Sequence, residues 1–497
     1  MKLLKQLILA MPRIYRNIFF FVFVLLFLVT TPLAVLYSQG YRFDQYKNIF
    51  IHSGSVTIKS TPSSVNVYLD GELQPTRSLD IINNSITING LRPGNYDVKV
   101  TADNYSTWGK NIEVHSGLST EFWNVLLTSK SLTSKELAGE GAERYFPSPF
   151  GKKIALVKKD GNKMEIWSLL MSTNVPALIY SAGNAEFSKN IHDNIEWNSD
   201  EKTMLVPFEA ESGKDFAIVD SEQKTEPMLL SQMSGLAEKN HARWSPDSQQ
   251  ELYFLAKTSD EESTSLYRVD LDTRKTDLIS PDVAAYDLSS SALYVVRKNN
   301  IIYKTDLEGK NEEQLIFTPI DFSEAPGDIR IISYDDKRQA VISEDGEFFV
   351  HNDGETGEIL KKIKDGVQGV QFSNDGKKLL FWTNNDIGAM FLREWDVQPR
   401  REENEIQQVV RFSVPIKNIF WYRDYEHVFF STQGTVKIIE LDSRDHRIVD
   451  NVFKYNSDNF TSSYDTGNGI YYFLDETNGT KKLFEVYIPE QTNILGM

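Results

Sequence analysis

Few side chains in this sequence are spaced for chemistry. The seven histidines (His52, His115, His192, His241, His351, His427 and His446) are scattered. No pair has the i, i+4 spacing of a helical metal site, and no His-Glu-x-x-His occurs. Cysteine is absent, which removes disulfides, thiolate zinc sites, iron–sulfur clusters and Cys nucleophiles. There is no Gly-x-Ser-x-Gly elbow and no phosphate-binding glycine loop. The stretch after the final repeat to Met497 is expected to be too short for the peptidase domain that follows some propellers. Asp335-Asp336 and Asn374-Asp375-Gly376 lack the twelve-residue calcium-loop pattern and stand where hairpin turns are expected. His241 and Arg243, just before Trp244, are expected on a surface loop, with the mouth of a ring of sheets as the alternative. The eight tryptophans offer carbohydrate stacking or core packing, and the repeat pattern favours the core. The expectation is no catalytic residue, no metal, no cofactor and an unknown ligand-binding site.

Composition narrows the partners. A formal net charge of -17 over 497 residues argues for no nucleic acid, because phosphate affinity comes from clustered Lys and Arg. The length suits two or three domains. Four Asn-x-Ser/Thr sequons, at Asn83, Asn104, Asn459 and Asn478, are within chance for a chain this rich in Asn, Ser and Thr.

The elements that would position a site come from repeats. An aromatic or aliphatic residue, a Ser/Asp/Pro/Gly turn, often a Lys, then an apolar strand recur about every 40–50 residues after Ser131, the length of a four-stranded propeller blade. Clear copies are Phe146 to Val157, Trp197 to Val206, Trp244 to Phe254 and Phe372 to Phe381. Weaker ones lie near Tyr286 to Val296, Tyr334 to Ile342, Trp421 to Phe430 and Tyr464 to Phe473. This predicts a β-propeller over 129–497 of eight blades, or seven if weak copies are parts of neighbours. The aromatic-Ser-Pro-Asp turn resembles the repeats of Tol-type and WD-like propellers.

Residues 53–128 read as short strands with tight turns. Val65, Val67 and Leu69 alternate with polar or aromatic neighbours, Asp70-Gly71 supplies a hairpin turn, and Tyr96, Val98 and Val100 begin another strand after Pro93-Gly94. The order Ile58-x-Ser60-x-Pro62, Val65-x-Val67-x-Leu69-Asp70-Gly71, Leu91-x-Pro93-Gly94-x-Tyr96, Asn104-Tyr105 and Trp108 resembles the PEGA domain, a β-sandwich module of bacterial and archaeal surface proteins. The sequence departs from that family at Gln74-Pro75-Thr76, where Gly before Thr-Pro is common, and by an insertion from about Arg77 to Asn84. The resemblance implies structural roles for Pro62, Asp70, Gly71, Pro93, Gly94, Tyr96, Tyr105 and Trp108 and no catalysis.

From Ile18 to Leu36 the chain is apolar except for Thr30, Thr31 and Pro32, roughly 28 Å of helix, about a bilayer core. Lys2, Lys5, Arg13 and Arg16 precede it with no acidic residue, so the positive-inside rule puts residues 1–17 in the cytoplasm and the bulk outside. A cleaved signal peptide is the rival; its apolar core runs about 7–15 residues, and Ala34-Val35-Leu36-Tyr37-Ser38 is a poor cleavage site.

Together these readings predict an all-β protein: a transmembrane helix (18–36), a linker (37–52) with interfacial tyrosines Tyr37, Tyr41 and Tyr46, a PEGA-like sandwich (53–128) and a propeller. It is expected at the cell membrane, single-pass, as a binding or scaffolding protein for an envelope protein or cell-wall polysaccharide. The rival is a propeller enzyme, a glycan lyase or hydrolase, with its site in the central channel.

Overall fold

The computed structural model describes residues 12–44, 49–75, 85–190, 192–257 and 263–488. Lys2, Lys5, Tyr46, Asn83 and the insertion from Arg77 to Asn84 lie outside the described residues. The described residues form two compact units: those up to Lys130 with Asp442–Ile448, and Ser131–Leu441 with 449–488.

The first unit opens with helix α1, Arg13–Ser38, which runs past both ends of the apolar stretch. Its 26 residues span about 39 Å, and none is buried. A helix apolar all round along Ile18–Leu36 has the length and composition to cross a bilayer. The Thr30 hydroxyl donates to the Leu26 carbonyl at 2.8 Å, which hides a polar group inside the apolar run. A hairpin of β1 (Tyr41–Asp44) and β2 (Ile49–His52) follows.

Next come β3 (Gly54–Thr61), β4 (Asn66–Leu69), β5 (Glu72–Leu73), β6 (Ser85–Leu91), β7 (Gly94–Thr101), β8 (Thr107–Val114) and β9 (Ser119–Leu126). They make two sheets, β6-β3-β9 and β5-β4-β7-β8, with β3 and β9 parallel. The alternation at Val65, Val67 and Leu69 and at Val98 and Val100 puts these aliphatics inside, around Trp108 and Phe122. Those two rings meet edge to face at 5.1 Å.

The second unit is a β-propeller. Among its described residues it holds eight antiparallel sheets, and each of the eight repeat copies falls on the hairpin joining the first two strands of a different sheet. The last sheet is completed by Ser134–Leu137 from the start of the unit, paired with Thr480–Tyr487 near its end. This closes the ring and removes an open sheet edge. Trp197, Trp244 and Trp421 are buried, and each indole N–H donates to a main-chain carbonyl of the preceding sheet: Phe146 at 3.0 Å, Glu196 at 3.1 Å and Gln371 at 2.9 Å. Trp167, Trp382 and Trp395 are half-buried, with Trp167 and Trp382 packed against the core from its edge, so the core reading of the propeller tryptophans holds at the repeat positions and in part at these two.

The turn chemistry is structural as well. The Ser373 hydroxyl donates to Asp375 at 2.7 Å and accepts from the Lys378 N–H at 2.9 Å. Asp335 accepts from the Lys337 N–H at 3.0 Å and from Arg338 Nε at 3.1 Å.

Trp421→Phe keeps most of the buried ring but leaves the Gln371 carbonyl without its indole donor. We expect the propeller to lose about 1–3 kcal/mol, seen as a lower urea midpoint by circular dichroism; an unchanged midpoint contradicts the role given to this bond.

Candidate functional site

In a propeller the first strand of each sheet lines the central axis. The ladders between first and second strands end in equivalent pairs: Trp197 with Met204, Trp244 with Leu252 and Leu288 with Leu293. The residues just before these are Glu196, Arg243 and Asp287, the same repeat position in three consecutive sheets. Their side chains meet. Arg243 Nε donates to Glu196 at 3.1 Å and Nη1 to Asp287 at 3.2 Å. The other Asp287 oxygen accepts the Ser333 N–H at 2.8 Å, tying in the following sheet. Burial raises the Glu196 carboxyl above its ordinary range, against the pull of Arg243. The Glu196 charge is also the main reason the Arg243 guanidinium is held more firmly protonated than usual.

The first strand of the second sheet is broken. Ala185–Phe187 and Glu196–Trp197 both pair with Thr203–Ala210, and the chain between them carries His192, Asp193 and Asn194. Asp193 is buried, accepts the Ser188 hydroxyl at 2.5 Å and pairs with Lys214 at 2.6 Å. His192 Nδ1 lies 3.0 Å from Arg330 Nη1. Burial first, and then the nearby guanidinium, push the His192 imidazole down to about 4. It is therefore neutral near pH 7, with Nδ1 accepting from Arg330 and the remaining proton on Nε2. Arg330 also donates to the Gln368 carbonyl at 3.3 Å, and burial lowers its own proton affinity, opposed by Asp328.

His241 and Arg243 lie on the strand Ala237–Trp244 and line the cavity, which corrects the surface loop expected for them. That strand is irregular, with breaks in register on both sides of Asn240. Glu238 and His241 both adopt positive φ, 48° and 47°, a conformation that strains residues bearing a Cβ and gathers at functional sites. The His241 ring meets Asp328 at 3.2 Å. Its carbonyl accepts from the Tyr286 hydroxyl, which also donates to the Tyr253 carbonyl at 3.0 Å.

These groups surround a cavity of about 400 Å³ lined by His192, Glu196, His241, Arg243, Tyr286 and Arg330, with Pro207, Phe216 and Ile331 among its apolar walls. A second space of about 500 Å³ shares His241 and Ile329 with it and includes Lys298 and Asp328. Charged donors and acceptors from several sheets thus converge beside apolar surface, the pattern of a small-molecule or side-chain site. Among the described residues no three His, Asp or Glu are arranged to hold a metal ion; Glu196 and Asp287 are both turned onto Arg243.

The motif residues of the first unit lie elsewhere. Asp70 (φ 49°) and Gly71 (φ 82°) form the β4–β5 turn, where the Asp70 carboxylate accepts the Asp97 N–H at 2.8 Å. The Pro62 carbonyl accepts the Ser60 hydroxyl at 2.9 Å. Pro93 and Gly94 are exposed at the β6–β7 turn, while the Tyr96 hydroxyl donates to the Arg92 carbonyl at 2.9 Å. Tyr105 packs against the core from its edge, and Trp108 is inside it. None of these lines the propeller cavity.

Sequence reasoning singled out His241 and Arg243 but missed His192, Glu196, Asp287, Asp328 and Arg330 as a group. One signal was present: aligning the clear copies on Trp197 and Trp244 sets Glu196 and Arg243 at one position with opposite charge.

Residues 53–128 match the PEGA domain. No match is found among curated proteins. Among solved structures the chain is similar to Sqt1 of Saccharomyces cerevisiae at 12% identity, over 72% of this chain and 98% of that one, with a TM-score of 0.41. It is also similar to an oligogalacturonate lyase from Vibrio parahaemolyticus (11%, 72% and 98%, TM-score 0.40). A third is the β-propeller domain of the Trilobed protease from Pyrococcus furiosus (15%, 73% and 100%, TM-score 0.34). The propeller assignment stands on the strand topology, with a PEGA domain before it in the chain.

His192 sets a pH dependence. The folded chain takes up this proton near 4 and the unfolded chain near 6.5, so the unfolded state binds more protons between those values and stability falls as pH drops through that window. NMR should find the His192 ring titrating well below 6.5, and Arg330→Gln should move it upward; an ordinary value near 6.5 in the wild type contradicts the assignment.

Proposed function

We propose that this is a membrane-anchored binding or scaffolding protein whose propeller takes up an envelope protein or a cell-wall glycan at the cavity beside Arg243 and Arg330. Helix α1 would hold it in the cell membrane with residues 1–17 cytoplasmic and the bulk outside. In this reading residues 53–128 act as a spacer, with Pro62, Asp70, Gly71, Pro93, Gly94, Tyr96, Tyr105 and Trp108 shaping and filling it, and 129–497 carry the binding surface. The observation that supports binding is the charge pairing. Arg243 is satisfied by two carboxylates, so the site is preorganised without a ligand and keeps both donors and acceptors open to polar groups.

A second reading, a glycan lyase or hydrolase, is favoured by one observation. The cavity holds a carboxyl with raised proton affinity, Glu196, and a neutral imidazole, His192, an acid and a base in opposite environments.

The test uses the full chain in nanodiscs with fractionated envelope protein and cell-wall polysaccharide. Binding without consumption is expected, weakened about tenfold or more by Arg330→Gln, a loss of about 1.4 kcal/mol or more. Failure to bind any fraction contradicts the proposal. Shortened glycan products that vanish in Glu196→Gln would establish the enzyme instead.

A further inference from the structure

We propose that the β1–β2 hairpin is a second membrane-binding element, its apolar side chains Phe43, Ile49 and Phe50 entering the boundary between lipid headgroups and acyl chains beside the helix. The inference rests on the reading of α1 as a membrane anchor.

The hairpin is fixed to the last turn of the helix. Arg42 Nη1 donates to the Tyr37 carbonyl at 3.1 Å, and its guanidinium carbon lies 3.7 Å from the centre of the Tyr37 ring. The His52 ring nitrogen Nε2 meets the Gln39 carbonyl at 2.7 Å. The Gly40 carbonyl accepts both the Ser53 hydroxyl, at 2.6 Å, and the Ser53 N–H, at 2.9 Å. Gly40 has φ 87°, which lets the chain turn sharply from helix into strand. The apolar run of α1 ends at Leu36, so whatever is tied to Tyr37 and Gln39 sits where the helix leaves the hydrocarbon.

Phe43 and Phe50 are cross-strand partners with rings edge to face at 5.3 Å. Yet Phe43 is 47%, Phe50 42% and Ile49 51% exposed. A lone two-stranded hairpin is at best marginal in water, and this one shows its largest apolar groups outward instead of against the unit behind it. Phe side chains on membrane-surface elements bury at the boundary between headgroups and acyl chains. The covering surface that requires no further partner is the bilayer itself, continuous with the helix that enters it.

The chain has no cysteine, so single Cys variants can be spin-labelled without removing native thiols. Phe43→Cys, Ile49→Cys and Phe50→Cys are compared with Val24→Cys at mid-helix and Phe317→Cys, a site 78% exposed on the propeller. The full chain is reconstituted in phosphatidylcholine–phosphatidylglycerol vesicles, and collisions with oxygen and with a water-soluble nickel chelate are read by EPR, with circular dichroism confirming that each variant is folded. We expect position 24 deepest and positions 43, 49 and 50 intermediate, gaining oxygen and losing nickel collisions relative to 317. Nickel access at 43, 49 and 50 equal to that at 317, with 24 still deep, overturns the hairpin inference while leaving the anchor. Shielding from both reagents points to a protein cover and also overturns it. Water-like behaviour at 24 overturns both readings.

Discussion

The indole N–H of Trp244, bound to the main-chain carbonyl of Glu196, is the kind of contact on which the propeller's geometry turns. The same bond joins Trp197 to Phe146 and Trp421 to Gln371. A buried carbonyl without a donor is costly, so each such bond fixes one first strand against its neighbour in register. Register then decides which side chains share a level around the axis. Because Trp197, Trp244 and Leu288 end equivalent ladders, the residues before them come within ion-pair reach, and Glu196, Arg243 and Asp287 form a single row.

That row gives the cavity its character. Two carboxylates on one guanidinium hold each other in place in a partly dry setting, where removing one partner would strand a charge. His192 enters from a break in an otherwise regular strand, and Arg330 faces it with a neutral imidazole in place of a carboxylate. The site therefore combines a settled row of charges with a guanidinium whose nearest side-chain partner carries none. Binding of a polar group needs no more than this. Catalysis would need Glu196 or His192 in addition to exchange a proton with a substrate.

Architecture was legible where periodicity encodes it. Apolar residues from Ile18 to Leu36, alternation at Val65 to Leu69 and the aromatic-turn-strand repeat each reflect a physical period, and the structure follows them. The weak copy near Tyr286 misleads by two residues: the ladder ends at Leu288, so Asp287 and not Ala285 takes the Arg243 level. The cavity was less legible because its groups lie far apart in sequence and meet only once the ring turns. Arg330 and His192 are 138 residues apart, and no local spacing announces them. The motif residues of the PEGA domain serve turns and the core of their own unit and are not among the cavity's lining residues.

If the cavity is where the propeller meets its ligand, a photocrosslinking amino acid placed at Ile332 on its wall should capture an envelope component in intact cells, and the adduct should fade when Arg330→Gln is added. The same amino acid at the exposed Phe317 should capture none. Equal capture from both positions, or an adduct at 332 indifferent to Arg330, would contradict the account.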